Sequence, residues 1–165
     1  MCGIYLQVSE GRSVSQEEWI RKTLYARGPD SLGSVALAHS SSCPKRVEAW
    51  SSVLHVRGAT LCPQPVLHRD GKEGPIDAFL MWNGEIFDAT DSALNVSEDA
   101  SDTALLAEVL FRRRHRAKHA FDKTLVETLS AIKGPFSFCF YSVLFFSSRL
   151  GCLKIPDAFT LGQGR

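Results

Sequence analysis

Apolar and polar side chains alternate in several short stretches of the chain, and a period of two predicts β-strands. The first stretch runs from Gly3 to Val8, and alternating phenylalanines give Phe136 to Tyr141 the same pattern. Three further apolar runs lie between these two and are bounded by turn residues. The predicted strands are 3–8, 33–38, 49–56, 78–82 and 136–141. Pro63 and Pro65 exclude their own segment from the middle of a sheet.

Three other stretches follow the period of an α-helix. The first begins near Ser15, a potential capping residue, and continues to about Tyr25. Its predicted buried residues are Trp19, Ile20 and Leu24. The second begins at Ser101 and ends in a run of arginines, which complements the helix dipole. The third covers about 122–132, while 27–30, 70–74 and 88–100 are predicted turns or loops. Strands followed by helices and then strands predict an α+β fold with antiparallel sheets.

Composition narrows the class of protein. The 165 residues fit one domain, and 44% hydrophobic with 22% charged residues is typical of a globular chain. The net charge of +1 argues against nucleic-acid or membrane partners. The basic cluster at 112–119 is interpreted as a solvated helix end rather than a nucleic-acid patch, and the apolar segment 136–153 as strands rather than a membrane span. Five cysteines without a CxxC pair predict reduced thiols, no metal site and a cytoplasmic location.

Cys2 carries the strongest chemical indication. If Met1 is removed, the thiol and a free α-amine belong to the same residue. An α-amine titrates at roughly 7.7–8.0 and can accept the thiol proton, so Cys2 would be a self-contained nucleophile and base. Alone, the residue is equally compatible with a small apolar side chain at the start of a strand.

Four further motifs decide between these interpretations. They are Arg27-Gly28-Pro29-Asp30, His55-Val56-Arg57-Gly58, Trp82-Asn83-Gly84-Glu85-Ile86-Phe87 and Ser101-Asp102. With Met1-Cys2-Gly3-Ile4, their order and spacing over residues 2–141 resemble the class II glutamine amidotransferase domain of the asparagine synthetase family, an N-terminal-nucleophile hydrolase. Within that family, the second and third motifs are most similar to the divergent asparagine synthetase domain-containing members.

The resemblance implies a four-layer αββα sandwich of two antiparallel sheets, and hydrolysis of L-glutamine to glutamate and ammonia. It implies that Cys2 is the nucleophile and that Asn83 and Gly84 form the oxyanion hole. It further implies that Arg57 binds the substrate carboxylate, and that Glu85 and Asp102 bind its ammonium. Arg27, Asp30 and His55 are interpreted as structural residues.

The chain also departs from the family pattern. Gly58 and Ala59 follow Arg57 where bulkier residues are typical. No Ser-Gly-Gly-x-Asp-Ser-like loop is present, so no cofactor is predicted on this chain. ATP and magnesium would belong to a missing synthetase domain, and that domain or a partner would accept the ammonia. Residues 142–165 form a divergent tail, either closing strands or aberrant sequence. Two alternatives to an active glutaminase therefore stay open: a non-catalytic relative that binds glutamine or a partner, and a non-functional truncated product.

Overall fold

The computed structural model describes residues 2–10, 17–38, 45–56, 58–95, 97, 99–117 and 121–143. Eight strands, three α-helices and one short 3-10 helix are present within these ranges. The strands are β1 Gly3–Glu10, β2 Ser31–Ala38, β3 Lys45–Val53, β4 Val66–Arg69, β5 Ile76–Gly84, β6 Asp88–Ala89, β7 Ile132–Lys133 and β8 Phe136–Ser142. The helices are α1 Glu17–Tyr25, α2 Asp102–Ala117 and α3 Phe121–Ser130, with the 3-10 helix at Ser92–Leu94.

The strands form antiparallel sheets. The first sheet has the order β1-β3-β2 and the second has the order β4-β5-β8, while β6 and β7 form a two-stranded ribbon. Gly3 pairs with Ser52 in the first sheet, and Gly84 pairs with Phe136 in the second. The predicted α+β class with antiparallel sheets is confirmed.

The first two sheets pack face to face through an apolar layer. Side chains at alternate positions of β5 and β8 meet side chains from the first sheet, as the period of two requires. Phe79 and Tyr141 are paired across the strands and stacked, with ring centroids 5.1 Å apart. The buried residues of this layer are Val35, Val47, Ala49, Phe79, Met81 and Tyr141.

Helices cover the other face of each sheet. The intervening side chains of β5, Ala78, Leu80 and Trp82, point to the opposite side and pack with α2 and α3. Phe136, Phe138 and Phe140 of β8 pack against the same core, as their spacing predicted. On the first sheet, α1 buries Ile20 and Leu24, and the Leu24 side chain lies against Gly3.

Several sequence predictions need correction. Trp19 is 60% exposed, so α1 buries a narrower face than expected. The third strand covers 45–53 rather than 49–56, and the predicted loop at 88–100 contains β6 and the 3-10 helix. The strand β4 was not predicted at all. Ser15 and residues 144–165 lie outside the described residues.

Within the ranges described, no helix is both long enough and apolar enough to span a bilayer. The expected cytoplasmic location stays a prediction.

The end of α2 is anchored by a buried arginine rather than being fully solvated. Arg114 is 1% exposed, and its Nη2 lies 2.8 Å from Asp77 Oδ2. Its Nη1 donates to the Asp77 carbonyl oxygen at 3.0 Å and to Ser142 Oγ at 3.4 Å. Arg114 therefore connects α2 to β5 and β8. The interpretation of the basic cluster as a solvated helix end is wrong for this residue, although Arg112 and Arg116 are exposed.

The Asp77 carboxyl gives the fold a predicted acid sensitivity. Partial burial acts to raise the pKa of Asp77, but hydrogen bonds from Arg114 and His68 outweigh it and hold the pKa below 3.8. A carboxyl group whose pKa is lower in the folded state stabilises the fold at pH values above its unfolded-state pKa. This contribution is lost as the pH falls through the folded-state pKa. We therefore expect the free energy of unfolding to decrease as the pH falls below about 4. Urea titrations at a series of pH values measure this.

Asp77→Asn should cost about 3–5 kcal/mol at pH 7, because Arg114 then keeps a buried charge without its partner. Its unfolding free energy should also vary less with pH below 4 than that of the wild type. Asp70→Asn, in an exposed turn, is the matched control and should keep the wild-type slope. An equal acid slope in Asp77→Asn and the wild type would contradict the assignment.

Candidate functional site

A cavity of about 520 Å³ lies at one edge of the two packed sheets. The antiparallel register creates this edge, because β1 begins where β3 ends and β8 begins where β5 ends. The start of α2 closes the same edge. The lining residues come from six chain segments: Cys2, 53–56, Cys62 and Gln64, 82–85 with Phe87, 101–103, and 135–137.

Five of the six residues predicted for the site line this one cavity. They are Cys2, Asn83, Gly84, Glu85 and Asp102. The sixth, Arg57, lies outside the described residues. Its neighbour Val56 lines the cavity, so the chain on one side of Arg57 reaches the site. Residues up to 100 positions apart in sequence thus converge on one cavity.

Side chains of Arg27, Ser51 and Ser52 hold the backbone at Cys2 and Gly3. Arg27 Nε donates to the Cys2 carbonyl oxygen at 3.3 Å. The next residue, Gly3, donates its N–H to Ser52 Oγ at 3.1 Å and accepts from Ser51 Oγ at 2.9 Å. The sheet therefore fixes the position of Cys2, and its partly exposed thiol borders the cavity.

The segment that precedes and follows Arg57 is braced by Asp30 and His55. The backbone N–H of His55 donates to Asp30 Oδ2 at 2.7 Å. His55 Nε2 lies 3.0 Å from the Gly58 carbonyl oxygen, so the tautomer with a protonated Nε2 donates to that oxygen. Gly58 has φ of +91°, a conformation that favours glycine. Asp30 and His55 both contact backbone here, in accordance with a structural role.

Gly84 lies where the chain has no room for a side chain. A Cβ at this position would be 2.5 Å from Phe136 Cβ and 2.6 Å from the Pro135 carbonyl oxygen. Glu85 continues the contact by donating its N–H to the Pro135 carbonyl oxygen at 3.1 Å. The close approach of β5 and β8 thus fixes the backbone on which Asn83, Gly84 and Glu85 are presented. Within the described part of the chain, the Asn83 amide and Glu85 carboxylate form no hydrogen bond and remain available to a ligand.

Asp102 joins the helix to this strand end. Its Oδ2 accepts from the Ile86 N–H at 3.1 Å, and its Oδ1 accepts from the Thr103 N–H at 2.8 Å. The residue is 8% exposed and borders the cavity. Ser101 caps α2 as predicted, with Oγ accepting from the Ala104 N–H at 3.3 Å. Each carboxylate oxygen of Asp102 still has an acceptor site beyond its backbone bond.

Sequence reasoning assigned no role to the lining residues Gln64, Cys62 and Trp82, although Trp82 begins one of the motifs. Gln64 is 2% exposed and accepts the Trp82 N–H at its Oε1, at 2.7 Å. Burial raises the pKa of the Cys62 thiol, a hydrogen bond with Ser101 opposes this, and the Asp102 charge adds to it. The Trp82 indole N–H is buried and has no partner among the described residues. The position of Gln64 between two prolines was the only available signal, and it indicated a loop rather than a site.

A second cluster of potential ligands lies away from this cavity. His68, Asp77 and His115 place ligand atoms within 4.8 Å of one another, which is close enough to be considered for a metal ion. Arg114 Nη2, however, lies 3.1 Å from His68 Nδ1 and 2.9 Å from His115 Nε2, in addition to its bond with Asp77. The Arg114 guanidinium therefore lies where a metal cation would bind in this cluster.

Comparison with known proteins supports a relationship to the asparagine synthetase family. The chain is 32% identical over 146 residues to asparagine synthetase domain-containing protein 1 from Gallus gallus. The matched region is 86% of this chain and 20% of the relative, so the chain spans about one fifth of the length of the curated relative it matches. No family model matches the chain, and no solved structure matches it.

The crowding at Gly84 predicts the effect of adding one methyl group. Gly84→Ala should destabilise the protein by about 1–3 kcal/mol, because β5 and β8 must separate to admit the Cβ. Urea denaturation measures the change. Gly71→Ala is the comparison variant: Gly71 has φ of +80° but no atom within 4 Å of a built Cβ, so only its backbone conformation is strained. A smaller loss for Gly84→Ala than for Gly71→Ala would contradict the close approach.

Proposed function

We propose that the chain is a class II glutamine amidotransferase domain that hydrolyses glutamine to glutamate and ammonia, with Cys2 as the N-terminal nucleophile. One observation supports this most strongly. Five residues that the resemblance assigns to the reaction, from three distant segments, line a single cavity. A chance similarity of short motifs gives no reason for such convergence.

The proposed chemistry begins once Met1 has been removed. The α-amine of Cys2 accepts the thiol proton, and the sulfur attacks the side-chain amide carbon of glutamine. The C–N bond then breaks, and the leaving nitrogen takes a proton and departs as ammonia. Water hydrolyses the resulting thioester to release glutamate and restore the thiol. The hydrogen bonds with Arg27, Ser51 and Ser52 support this role, since they hold the backbone beside Cys2 in place.

Asn83 and Gly84 are proposed to stabilise the oxyanion of the tetrahedral intermediate. An amide side chain and a backbone N–H are suitable donors, and one donor of this kind contributes about 2.7–4 kcal/mol. Their rigidity matters as much as their identity, because preorganised donors need no rearrangement during the reaction. The tight β5–β8 approach at Gly84 supplies that rigidity.

The substrate itself is proposed to be recognised as a free amino acid. Arg57 offers a planar fork for the α-carboxylate, and Glu85 and Asp102 offer negative charge to the α-ammonium. The Glu85 carboxylate, unbonded within the described residues, fits this role more directly than Asp102. Asp102 has a second task, since its backbone bonds keep Ile86 and the start of α2 together.

The proposed class also accounts for the arrangement of the layers. Helix α1, the β1-β3-β2 sheet, the β4-β5-β8 sheet, and the α2–α3 pair lie in that order. This order supports the four-layer αββα sandwich expected of an N-terminal-nucleophile hydrolase. The ammonia acceptor, with its ATP and magnesium, is proposed to belong to a synthetase domain of a longer protein or to a partner.

A second candidate is a non-catalytic relative that binds glutamine or a partner in the same cavity. The observation that favours it is that both Asp102 carboxylate oxygens accept bonds from backbone N–H groups. Asp102 therefore has a structural role that does not depend on catalysis. Stabilisation by glutamine against thermal unfolding, without glutamate release, would identify this case.

The nucleophile is tested by Cys2→Ala. Intact mass first establishes that Met1 is absent, and glutamate release from glutamine is then measured. We expect Cys2→Ala to abolish release, because no thioester can form. Cys139→Ala is the matched control and should keep wild-type activity, since burial raises the pKa of the Cys139 thiol to about 12 and keeps it unreactive. Equal glutamate release by the wild type and Cys2→Ala would contradict the proposal.

The carboxylate role is tested by Arg57→Lys. We expect the KM for glutamine to rise about tenfold or more, because an ammonium cannot replace a bidentate guanidinium, while kcat changes less. Steady-state kinetics with glutamine measure both constants. Arg69→Lys, in the β4–β5 hairpin, is the control and should leave the KM unchanged. An unchanged KM in Arg57→Lys would remove Arg57 from the substrate site.

A further inference from the structure

Cys62 and Gln64 line one side of the cavity. Cys62 lines the cavity together with Ser101 and Asp102. Gln64 bonds the backbone of Trp82, the residue before Asn83. No predicted role had been given to either residue. Its contact with the strand end that carries Asn83 makes Gln64 the strongest candidate for an additional function in the cavity.

Gln64 replaces a strand partner that is missing at the end of β5. In the antiparallel register Val66 is opposite Leu80, so position 64 is opposite Trp82. The strand β4 begins only at Val66, and the chain leaves the sheet at Pro65. The Trp82 N–H would therefore lack a backbone acceptor and would be buried without a partner, which costs about 1–3 kcal/mol. The Gln64 side chain supplies the acceptor at 2.7 Å.

The backbone of Gln64 is fixed from the opposite sheet. A side chain at Gly33 of β2 would overlap the Gln64 carbonyl oxygen, so the two backbones are in direct contact. Gln64 is also 2% exposed and has little freedom to move. Gln64 thus connects the end of β5 to the sheet whose first strand, β1, directly follows Cys2.

We infer that Gln64 is a positioning residue for the proposed glutaminase reaction, holding the Trp82–Gly84 end of β5 so that the oxyanion donors Asn83 and Gly84 face Cys2. The inference rests on the proposed function. Gln64 acts through the Trp82 N–H and does not contact the reacting atoms. Its effect should appear in the chemical step, because Gln64 bonds the strand end that carries the proposed oxyanion donors, whereas Asp102 is held by its own bonds to Ile86 and Thr103.

The experiment compares three variants of the full chain. Gln64→Leu removes the acceptor and should lower kcat about 10- to 100-fold, with KM for glutamine changed by less than about threefold. Gln64→Glu keeps an oxygen acceptor and should restore kcat to within about threefold of the wild type. Gln7→Leu is the matched control, since it also removes an accepted hydrogen bond, from Tyr5, but at a distance from the cavity, and should leave kcat unchanged.

A structural readout separates this inference from the proposed function. Hydrogen exchange of the Trp82 amide should become faster in Gln64→Leu, while the Leu80 amide, directed to the same side of β5, should stay protected. Unchanged Trp82 exchange, unchanged kcat in Gln64→Leu, or failure of Gln64→Glu to restore kcat overturns the inference. If the wild type releases no Cys2-dependent glutamate, the proposed function fails and the catalytic part of the inference fails with it. Faster Trp82 exchange in Gln64→Leu would then still establish that Gln64 holds the strand end.

Discussion

The face-to-face packing of the two three-stranded sheets is the contact on which the other features depend. Phe79 and Met81 from β5 meet Val35 and Ala49 from the first sheet, and Tyr141 lies over Phe79. Burial of these side chains fixes the distance and the register of the sheets. Cys2 directly precedes β1 of one sheet, and Asn83 lies in β5 of the other. A slip of either sheet would therefore separate the proposed nucleophile from the proposed oxyanion donors.

The sequence predicted those parts of the fold whose signal is local. Alternating apolar residues placed β1 and β8 nearly correctly, a continuous apolar run placed β5, and the Phe136–Phe140 spacing identified three side chains on one face of β8. Ser101 was recognised as a cap because its oxygen acts within one turn. In each case the signal is carried by residues that are neighbours along the chain.

The features that sequence reasoning missed depend on distant partners. Trp19 fits the apolar face of α1, but the sheet below covers only Ile20 and Leu24. Arg114 belongs to a run of basic residues that predicts exposure to solvent, yet its guanidinium is buried in an ion pair with Asp77 on β5. The role of Gln64 was also missed, because its partner is the backbone N–H of Trp82, which no side-chain pattern in the sequence indicates. Most residues of the candidate site could be predicted from motifs, because their side chains have recognisable chemical roles. The residues that support the site could not, because their contacts form only when the chain has folded.

The cavity edge is held by polar contacts to the backbone, whereas the interior of the molecule is held by apolar packing. Asp102 bonds Ile86 and Thr103, Gln64 bonds Trp82, and Asp30 bonds His55. This difference has a physical reason. A cavity cannot be filled by apolar side chains, so the strand ends around it lose the packing that orders the rest of each sheet. Directional hydrogen bonds to buried N–H groups can order those ends instead, because leaving such a donor unpaired is costly. The side chains that supply these bonds thus lie beside the residues proposed to bind glutamine, and the same segments can provide both rigidity and recognition.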